Sequence, residues 1–161
     1  MHLTDLQVIL VSETDASLRI VLAALLGAML GLERSIAGKH AGMRTYGMVS
    51  VGACLFTTVG IIAAQQFSMF ATINPLQLAS SVIIGIGFVG AGLSMFHDTH
   101  PVELTTAAGI LVAAGVGIAA GFGLVELSVV AVLMSLLLLR VFTRIEHSAQ
   151  KRFGDGVDEK K

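Results

Sequence analysis

The sequence predicts an all-α, polytopic membrane protein, folded as a compact bundle of about five transmembrane helices. The first observation is composition: 55% of the 161 residues are hydrophobic and 13% are charged, roughly half the charge of a soluble domain. The second is the presence of five apolar segments in succession, each near the roughly 20 residues that span a bilayer. A buried helix of a soluble protein can imitate one such segment, but hardly five.

The predicted membrane domain covers residues 17–141. Residues 1–16 form an N-terminal external segment, and residues 142–161 form a charged cytoplasmic tail, expected to be loose because it is too short and polar to bury a core. The five spans are expected at 17–37, 45–64, 76–96, 102–120 and 122–141.

The first span has a short apolar part. Residues 18–32 provide only 15 positions, which at about 1.5 Å per residue falls short of a hydrocarbon core of about 30 Å. Either the membrane thins locally, or the helix continues through Glu33 and Arg34. The second alternative places both charges at the edge of the hydrocarbon.

The later helix ends carry recognisable signals. Asn74 followed by proline indicates an N-cap and first helical residue for the third helix, and Pro101 can begin the fourth in the same way. The sequence Gly121-Phe122-Gly123 permits a very tight turn, so the fourth and fifth helices are expected to form a close antiparallel hairpin.

The distribution of basic residues predicts the orientation. With five spans, one side holds nine of the ten Lys and Arg residues and the other side holds only Arg19. Because basic residues are enriched in cytoplasmic loops, the N-terminus is expected outside and the C-terminus in the cytoplasm. The nine residues are Arg34, Lys39, Arg44, Arg140, Arg144, Lys151, Arg152, Lys160 and Lys161.

Glycines recur within the apolar spans and favour close helix packing. Gly27 with Gly31, and Gly117 with Gly121, form G-x-x-x-G motifs that suit close crossings within one protomer or between two.

In the third span, Gly85, Gly87 and Gly90 match a dinucleotide-binding pattern, which we reject because that pattern needs a strand and a soluble unit. Gly92 extends the run. Helix packing is the simpler interpretation, and a helix break lining a polar cavity is the alternative.

The most specific polar group follows the first span: Glu33, Arg34, Lys39, Arg44 and Thr45. An ordinary positively charged loop accounts well for Lys39, but a carboxylate at the membrane edge usually needs a partner. Arg34 and Arg44 are the candidates. A structural Glu–Arg pair is expected, with a direct ligand or ion role for Glu33 as the alternative.

Other polar residues are weaker candidates. Glu126 follows the tight turn and is expected to reach external water, unless it faces the bundle as a cation or proton site. The segment His97-Asp98-Thr99-His100 can hold a divalent metal, but a solvated loop is the better interpretation, and the metal stays unknown. The hydroxyl-bearing residues Ser81, Thr105 and Thr106 can bond helix carbonyls.

Composition and motifs also exclude several classes of function. Cys54 is the single cysteine, so no disulfide forms within the chain, and a packing role is expected for it. The net charge of -1 argues against a nucleic-acid partner. Because no nucleophile–base pair, phosphate loop or zinc-protease motif is visible, we expect neither an enzyme nor a cofactor.

Five ordered motifs resemble the MgtC/SapB family of bacterial membrane proteins. They are G-L-E-R at 31–34, G-K-H-A-G-M-R-T at 38–45, G-A-C-L-F at 52–56, G-I-G-F-V-G-A-G at 85–92 and L-T-T-A-A at 104–108. The chain departs from that pattern at Asn74, where the family commonly has aspartate, and at Ser81, where it has glutamine. The soluble C-terminal domain of several relatives is also expected to be missing.

The resemblance implies an inner-membrane protein connected with growth at low magnesium. We expect a regulatory protein of magnesium or ion homeostasis that contacts other membrane proteins. The alternative is a small ion or solute transporter or channel that acts as an oligomer. The expected partners are the lipid bilayer, further copies of the chain in a homodimer or larger assembly, and other membrane proteins.

Overall fold

The structure is a computed structural model that describes residues 13–67, 74–95 and 104–153. Each of the five helices in this part of the chain is long and apolar enough to cross a membrane. The predicted all-α, multi-pass bundle is thereby confirmed. The helices are α1 (Glu13–Ile36), α2 (Met43–Gln66), α3 (Pro75–Met95), α4 (Leu104–Gly121) and α5 (Val125–Phe153).

Helices α1, α2 and α4 contact one another and form the centre of the bundle. Helix α3 packs on α2 and α4, while α5 packs on α4 and α1. Cys54 lies in the centre with its side chain fully buried, in agreement with the packing role expected for it. The largest buried apolar side chains are Leu30, Tyr46, Ile110, Val116 and Val132.

The two ends of the bundle differ in charge. The α1–α2 connection lies at the same end as residues 139–144 of α5, because Glu33 and Arg140 line one pocket. We call this the basic end. The α4–α5 turn lies at the opposite end, which we call the hairpin end, where Arg19 contacts Gly121.

Two helices run beyond the expected spans. Helix α1 begins at Glu13, before the expected span, and continues through Glu33 and Arg34 to Ile36, which is the second of the two alternatives considered for the short first span. Helix α5 continues to Phe153, so the expectation of a loose tail from residue 142 is wrong as far as residue 153. Exposed apolar side chains at Phe142 and Ile145 extend its lipid-facing surface beyond position 141.

Glycine ends both α1 and α4 by the same mechanism. Gly38 and Gly123 have positive φ angles of 70° and 79°, a conformation that glycine adopts without a Cβ penalty. At Gly38, the amide of Lys39 donates to the carbonyl of Arg34 at 3.0 Å. After α4, the equivalent hydrogen bond runs from the amide of Leu124 to the carbonyl of Ala119 at 2.9 Å. It closes the tight turn expected between the last two helices.

Asn74 caps α3 as its sequence indicates, because its Oδ1 accepts a hydrogen bond from the amide of Leu76 at 3.0 Å. The interpretations of Pro101 and of the His97–His100 segment concern residues outside the described part of the chain.

Candidate functional site

Glu33 and Arg34 form an ion pair in the last turns of α1. Arg34 Nε donates to Glu33 Oε2 at 2.6 Å, and the two side chains are 4% and 11% exposed. A guanidinium buried to this extent requires a negative partner. The carboxylate of Glu33 therefore compensates Arg34, and the structural pair expected from the sequence is present with Arg34 rather than Arg44.

The remaining residues of the predicted cluster lie apart from this pair. Arg44 and Thr45 are exposed on the first turn of α2, and Arg44 forms no ion pair with any residue of the described segments. Lys39 is exposed in the α1–α2 connection, where its amide bonds the carbonyl of Arg34. The five predicted residues thus share the basic end without forming one polar centre.

The connection between α1 and α2 brings backbone groups of the two helices close together. A Cβ atom on Gly31 would lie 2.6 Å from the Cα of Met43, so the end of α1 touches the start of α2. Ser35 Oγ accepts from the amide of Met43 at 3.3 Å and caps α2, whose own N-cap, Gly42, has no side chain to do so. A side chain on Gly42 would collide with Ser35 Oγ.

A pocket of about 300 Å³ opens beside the Glu33–Arg34 pair, between α1 and α5. Two arginines of α5 lie on its rim, and both are exposed. This cavity combines charged side chains with an apolar wall. Its lining residues are Glu33, Ile36, Ala37, Leu139, Arg140 and Arg144.

The glycines of the two G-x-x-x-G motifs lie at crossings inside the protomer. A Cβ atom on Gly27 would lie 2.6 Å from the Cβ of Ser50, and one on Gly121 would lie 2.7 Å from the Cβ of Thr57. On Gly117 it would collide with the carbonyl of Ser50. Both motifs therefore place α1 and α4 against the small-residue face of α2.

The glycines of α3 are placed differently. A Cβ atom on Gly85, Gly87 or Gly92 would meet nothing within 4 Å, and one on Gly90 would lie 3.8 Å from the Cβ of Ala107. Only 6% of this span is buried within the described bundle. These small residues thus leave α3 with an open face.

A groove of about 440 Å³ runs between α2 and α3. Gly52, Ala53 and Gly85 give it small residues, and Phe56 and Leu78 are among its larger side chains. The groove is almost entirely apolar and is open on its outer side. Its shape suits a lipid chain or a transmembrane helix.

The weaker candidates are distributed over the bundle. Ser81 lines the α2–α3 groove, but its hydroxyl donates to the carbonyl of Gln77 in its own helix. Thr105 is exposed and lines a small apolar cleft, whereas the buried Thr106 accepts a hydrogen bond at its carbonyl from Tyr46. Glu126 is exposed in the first turn of α5, in agreement with its expected contact with water.

Several residues with clear structural roles were not among the sequence candidates. Arg19 was counted only for orientation, yet its Nη1 donates to the carbonyl of Gly121 at 2.8 Å at the C-terminus of α4. Arg140 and Arg144 were also counted only for orientation. Their spacing of four residues at the end of an apolar span was the available signal, because it places both on one face of a helix.

Comparison with known proteins identifies the family. The family model described as MgtC family matches residues 20–148. YhiD of Escherichia coli K12 is 37% identical over 130 residues, which cover 80% of this chain and 60% of YhiD. SrpB of Synechococcus elongatus is 37% identical over 145 residues, covering 84% of this chain and 79% of SrpB.

MgtC of Salmonella typhimurium LT2 is 34% identical over 91 residues, covering 56% of this chain and 36% of MgtC. No solved structure gives a significant match. The family match begins within α1 and ends within α5, and so includes all of α2, α3 and α4 and most of α1 and α5. The chain belongs to the MgtC family.

Proposed function

We propose that this protein is a regulatory inner-membrane protein of magnesium or ion homeostasis, which acts by contacting other membrane proteins. Membership of the MgtC family supports a role in magnesium or ion homeostasis. Relatives named MgtC and YhiD support the same role, and the name of YhiD describes it as a candidate magnesium transporter. The chain matches about 60% of the length of YhiD. An activity of the whole YhiD protein is therefore only proposed for this chain.

The interior of the bundle is closed, which favours a regulatory function over transport through a single protomer. The crossings at Gly27, Gly117 and Gly121 bring backbones into contact and leave no room for a hydrated path there. The buried hydroxyl of Thr57 bonds to its own helix at 2.8 Å. Among the described side chains no carboxylate lies in the centre, whereas a magnesium ion prefers carboxylate oxygens and retained water.

The open face of α3 is the observation that carries the proposal. A Cβ atom at position 85, 87 or 92 would meet no atom of the described segments within 4 Å, whereas Gly27, Gly117 and Gly121 lie at internal crossings of α1 and α4 with α2. Because small residues let membrane helices approach closely, the α2–α3 groove suits an apolar transmembrane helix of the regulated protein. A second copy of this chain is the competing occupant.

The decisive experiment blocks this groove without disturbing the fold. Gly85→Leu introduces a side chain into the groove where no atom would obstruct it. Gly115→Leu is the matched control, because Gly115 is also exposed with nothing within 4 Å but lies on α4 outside the groove.

A strain that depends on this protein for growth at low magnesium is complemented with each variant. We expect Gly115→Leu to restore growth and Gly85→Leu to fail at equal protein levels. Equal growth with both variants would contradict contact through the groove. Covalent dimers trapped by a cysteine in the groove would identify a second copy as the occupant.

The second candidate function is an ion or solute transporter that acts as an oligomer. The name of YhiD favours it, and Glu33 is the carboxylate that the described side chains place beside the polar pocket. Purified protein in liposomes is then expected to pass magnesium, protons or a small anion without any partner. A Glu33→Gln variant with unchanged flux would rule that carboxylate out as the ion site.

The orientation proposed with this function places the basic end in the cytoplasm. The nine basic residues assigned to one side support it through the positive-inside rule. Cys54 is the chain's single cysteine and is buried, so a Lys39→Cys variant gives a specific label. We expect a membrane-impermeant thiol reagent to label it only after the cytoplasmic face is opened.

A further inference from the structure

We propose that α3 is a movable lid of the α2–α3 groove, which pivots about the contact between Leu78 and Gly60 and closes Gly85 onto Gly52. The closed groove has no space for a partner helix, so closure is an autoinhibitory step. This inference rests on the regulatory function proposed above, because it describes how the docking groove of that function opens and closes.

Helix α2 is the fixed wall of the groove. A Cβ atom on Gly27 of α1 would lie 2.6 Å from the Cβ of Ser50, and one on Gly121 of α4 would lie 2.7 Å from the Cβ of Thr57. Helices that interlock at such distances do not slide past each other without losing many contacts at once. A change in the width of the groove must therefore come from α3.

Helix α3 is the loosely held wall. Only 6% of its span is buried within the described bundle, compared with 33% of the α2 span and 44% of the α4 span. A Cβ atom on Gly90 would lie at an ordinary contact distance of 3.8 Å from the Cβ of Ala107 on α4, so this contact does not interlock the two backbones. Segments with few buried contacts move at a low cost in free energy.

One contact holds α3 closely against α2. The side chain of Leu78 fills the space beside Gly60, where an added Cβ would collide with Leu78 Cδ1 and lie 3.6 Å from its Cβ and Cγ. The next residue, Ala79, is buried. Both positions lie in the first turns of α3, at the hairpin end. The remainder of α3, toward the basic end, is therefore an arm that swings about this point.

The two walls of the groove present small residues to each other without contact. Gly52 and Ala53 line the groove from α2, and Ser81 and Gly85 line it from α3. A Cβ atom on Gly52 or Gly85 would meet no atom of the described segments within 4 Å, because a cavity of about 440 Å³ lies between the walls. Small residues let membrane helices approach closely, so the groove is a helix crossing in its open form.

Closure leaves no polar group without a partner. The hydroxyl of Ser81 already donates to the carbonyl of Gln77 at 3.0 Å, and the larger side chains that line the groove are apolar. Closure therefore exchanges contacts with lipid for contacts between helices. A partner helix shifts α3 to the open position only through its higher affinity for that form, so the packing of α3 on α2 sets the threshold for docking.

The experiment traps the closed form with a disulfide in the full chain, reconstituted into phospholipid nanodiscs without any partner. All variants carry Cys54→Ala, which removes the chain's single cysteine. The groove pair is Gly52→Cys/Gly85→Cys. The control pair is Gly52→Cys/Gly115→Cys, whose second position is exposed on α4 outside the groove. The rate at which monomers lose free thiols is measured under a mild oxidant.

Two serine variants test whether these surfaces meet. Ser81→Leu places a bulky side chain between the walls. Ser80→Leu is the matched control, because both serines are exposed and both hydroxyls donate to a carbonyl of α3 at 3.0 Å, but Ser80 does not line the groove.

We expect the groove pair to oxidise roughly tenfold faster than the control pair, because a disulfide needs its Cβ atoms within about 4.5 Å. Ser81→Leu should slow the groove pair roughly tenfold, since it removes the close approach that small residues allow. Ser80→Leu should leave the rate unchanged. Equal rates for the two cysteine pairs, or equal slowing by the two leucine variants, would overturn the proposal.

A second measurement applies if the glycine variants do not fold. Spin labels at positions 48 and 89, on opposite walls of the groove, are expected to show two separations, and a single separation would overturn the lid. Neither measurement depends on a partner or on growth. A rigid groove with growth lost in Gly85→Leu would overturn the lid and leave docking intact, whereas a closing groove with growth unchanged would overturn docking and with it the inhibitory role of the lid.

Discussion

The hydroxyl group of Tyr46 on α2 occupies the space that a Cβ atom on Gly109 of α4 would need. That atom would collide with the hydroxyl oxygen and lie 3.1 Å from Cε1 and Cζ of the ring. The hydroxyl donates to the carbonyl of Thr106 at 3.2 Å, and Tyr46 is 1% exposed. The chain's single tyrosine thus fixes the position of α2 along α4.

This contact predicts that Gly109→Ala destabilises the fold. The added methyl group must displace the ring of Tyr46, and overpacking of this kind costs about 1–3 kcal/mol. The free energy of unfolding, measured by titration with sodium dodecyl sulfate in mild-detergent micelles, is expected to fall by that amount. Tyr46→Phe, which removes only the hydroxyl, should by itself cost about 1 kcal/mol.

Gly115→Ala is the matched control for Gly109→Ala, because a Cβ there would meet nothing within 4 Å in the same helix. Its stability is expected to equal or exceed that of the unaltered chain, since alanine favours a helix. The Gly109→Ala/Tyr46→Phe double variant should lose less unfolding free energy than the sum of the two single variants, because removing the hydroxyl makes room for the added methyl group. Additive losses in the double variant would contradict the proposed steric contact.

The sequence predicted the number and type of the helices because that signal is local and strong. Five runs of apolar residues need no tertiary information to be recognised. The helix ends were less accurate, since α5 continues for more than two turns beyond position 141. Many residues after Val141 are charged and resemble a tail. Phe142 and Ile145, however, are three residues apart, so the apolar face of α5 continues past residue 141.

The site was harder to predict because its contacts depend on packing between distant segments. Glu33 and Arg34 are adjacent, and adjacent side chains on a helix point in different directions, so nothing in the sequence favoured Arg34 over Arg44. The pocket between α1 and α5 depends on the packing of these two helices, which places Glu33 and Arg140 around one cavity. No local sequence pattern specifies that packing.

The Glu33–Arg34 pair predicts a specific order of stabilities. Glu33→Ala leaves Arg34, which is 3% exposed, without its counter-charge and is expected to cost about 2 kcal/mol, less than a fully buried pair because Glu33 is partly exposed. Glu33→Gln keeps an oxygen that accepts from Arg34 and should cost about 1 kcal/mol. Detergent titration gives both values.

Glu126→Ala is the control for Glu33→Ala, since this carboxylate is exposed at the hairpin end. Its effect is expected to stay within about 0.5 kcal/mol. If Glu33→Ala unfolds at the same denaturant concentration as Glu126→Ala, Arg34 does not depend on Glu33 for its burial.

Gly38 provides a test of the α1–α2 connection. Its φ angle of 70° costs a residue with a Cβ atom about 1–2 kcal/mol, so Gly38→Ala is expected to lower the unfolding free energy by that amount. Gly38→Asn should cost less, because asparagine tolerates this conformation. No atom obstructs a Cβ at this position, so a loss as large for asparagine as for alanine would exclude backbone conformation as the cause.

Arg19 predicts a polar contribution to stability at the hairpin end. Its Nη1 donates to the carbonyl of Gly121 at 2.8 Å, at the C-terminus of α4, where a positive charge also interacts favourably with the helix dipole. Arg19→Ala is expected to cost about 1 kcal/mol, and Arg19→Lys, which keeps the charge, should cost less. Arg44→Ala removes an arginine that makes no ion pair within the described segments and should leave the melting temperature unchanged. The same small effect for Arg19→Ala would show that the α4 terminus is held by its own Gly123 turn and not by the arginine.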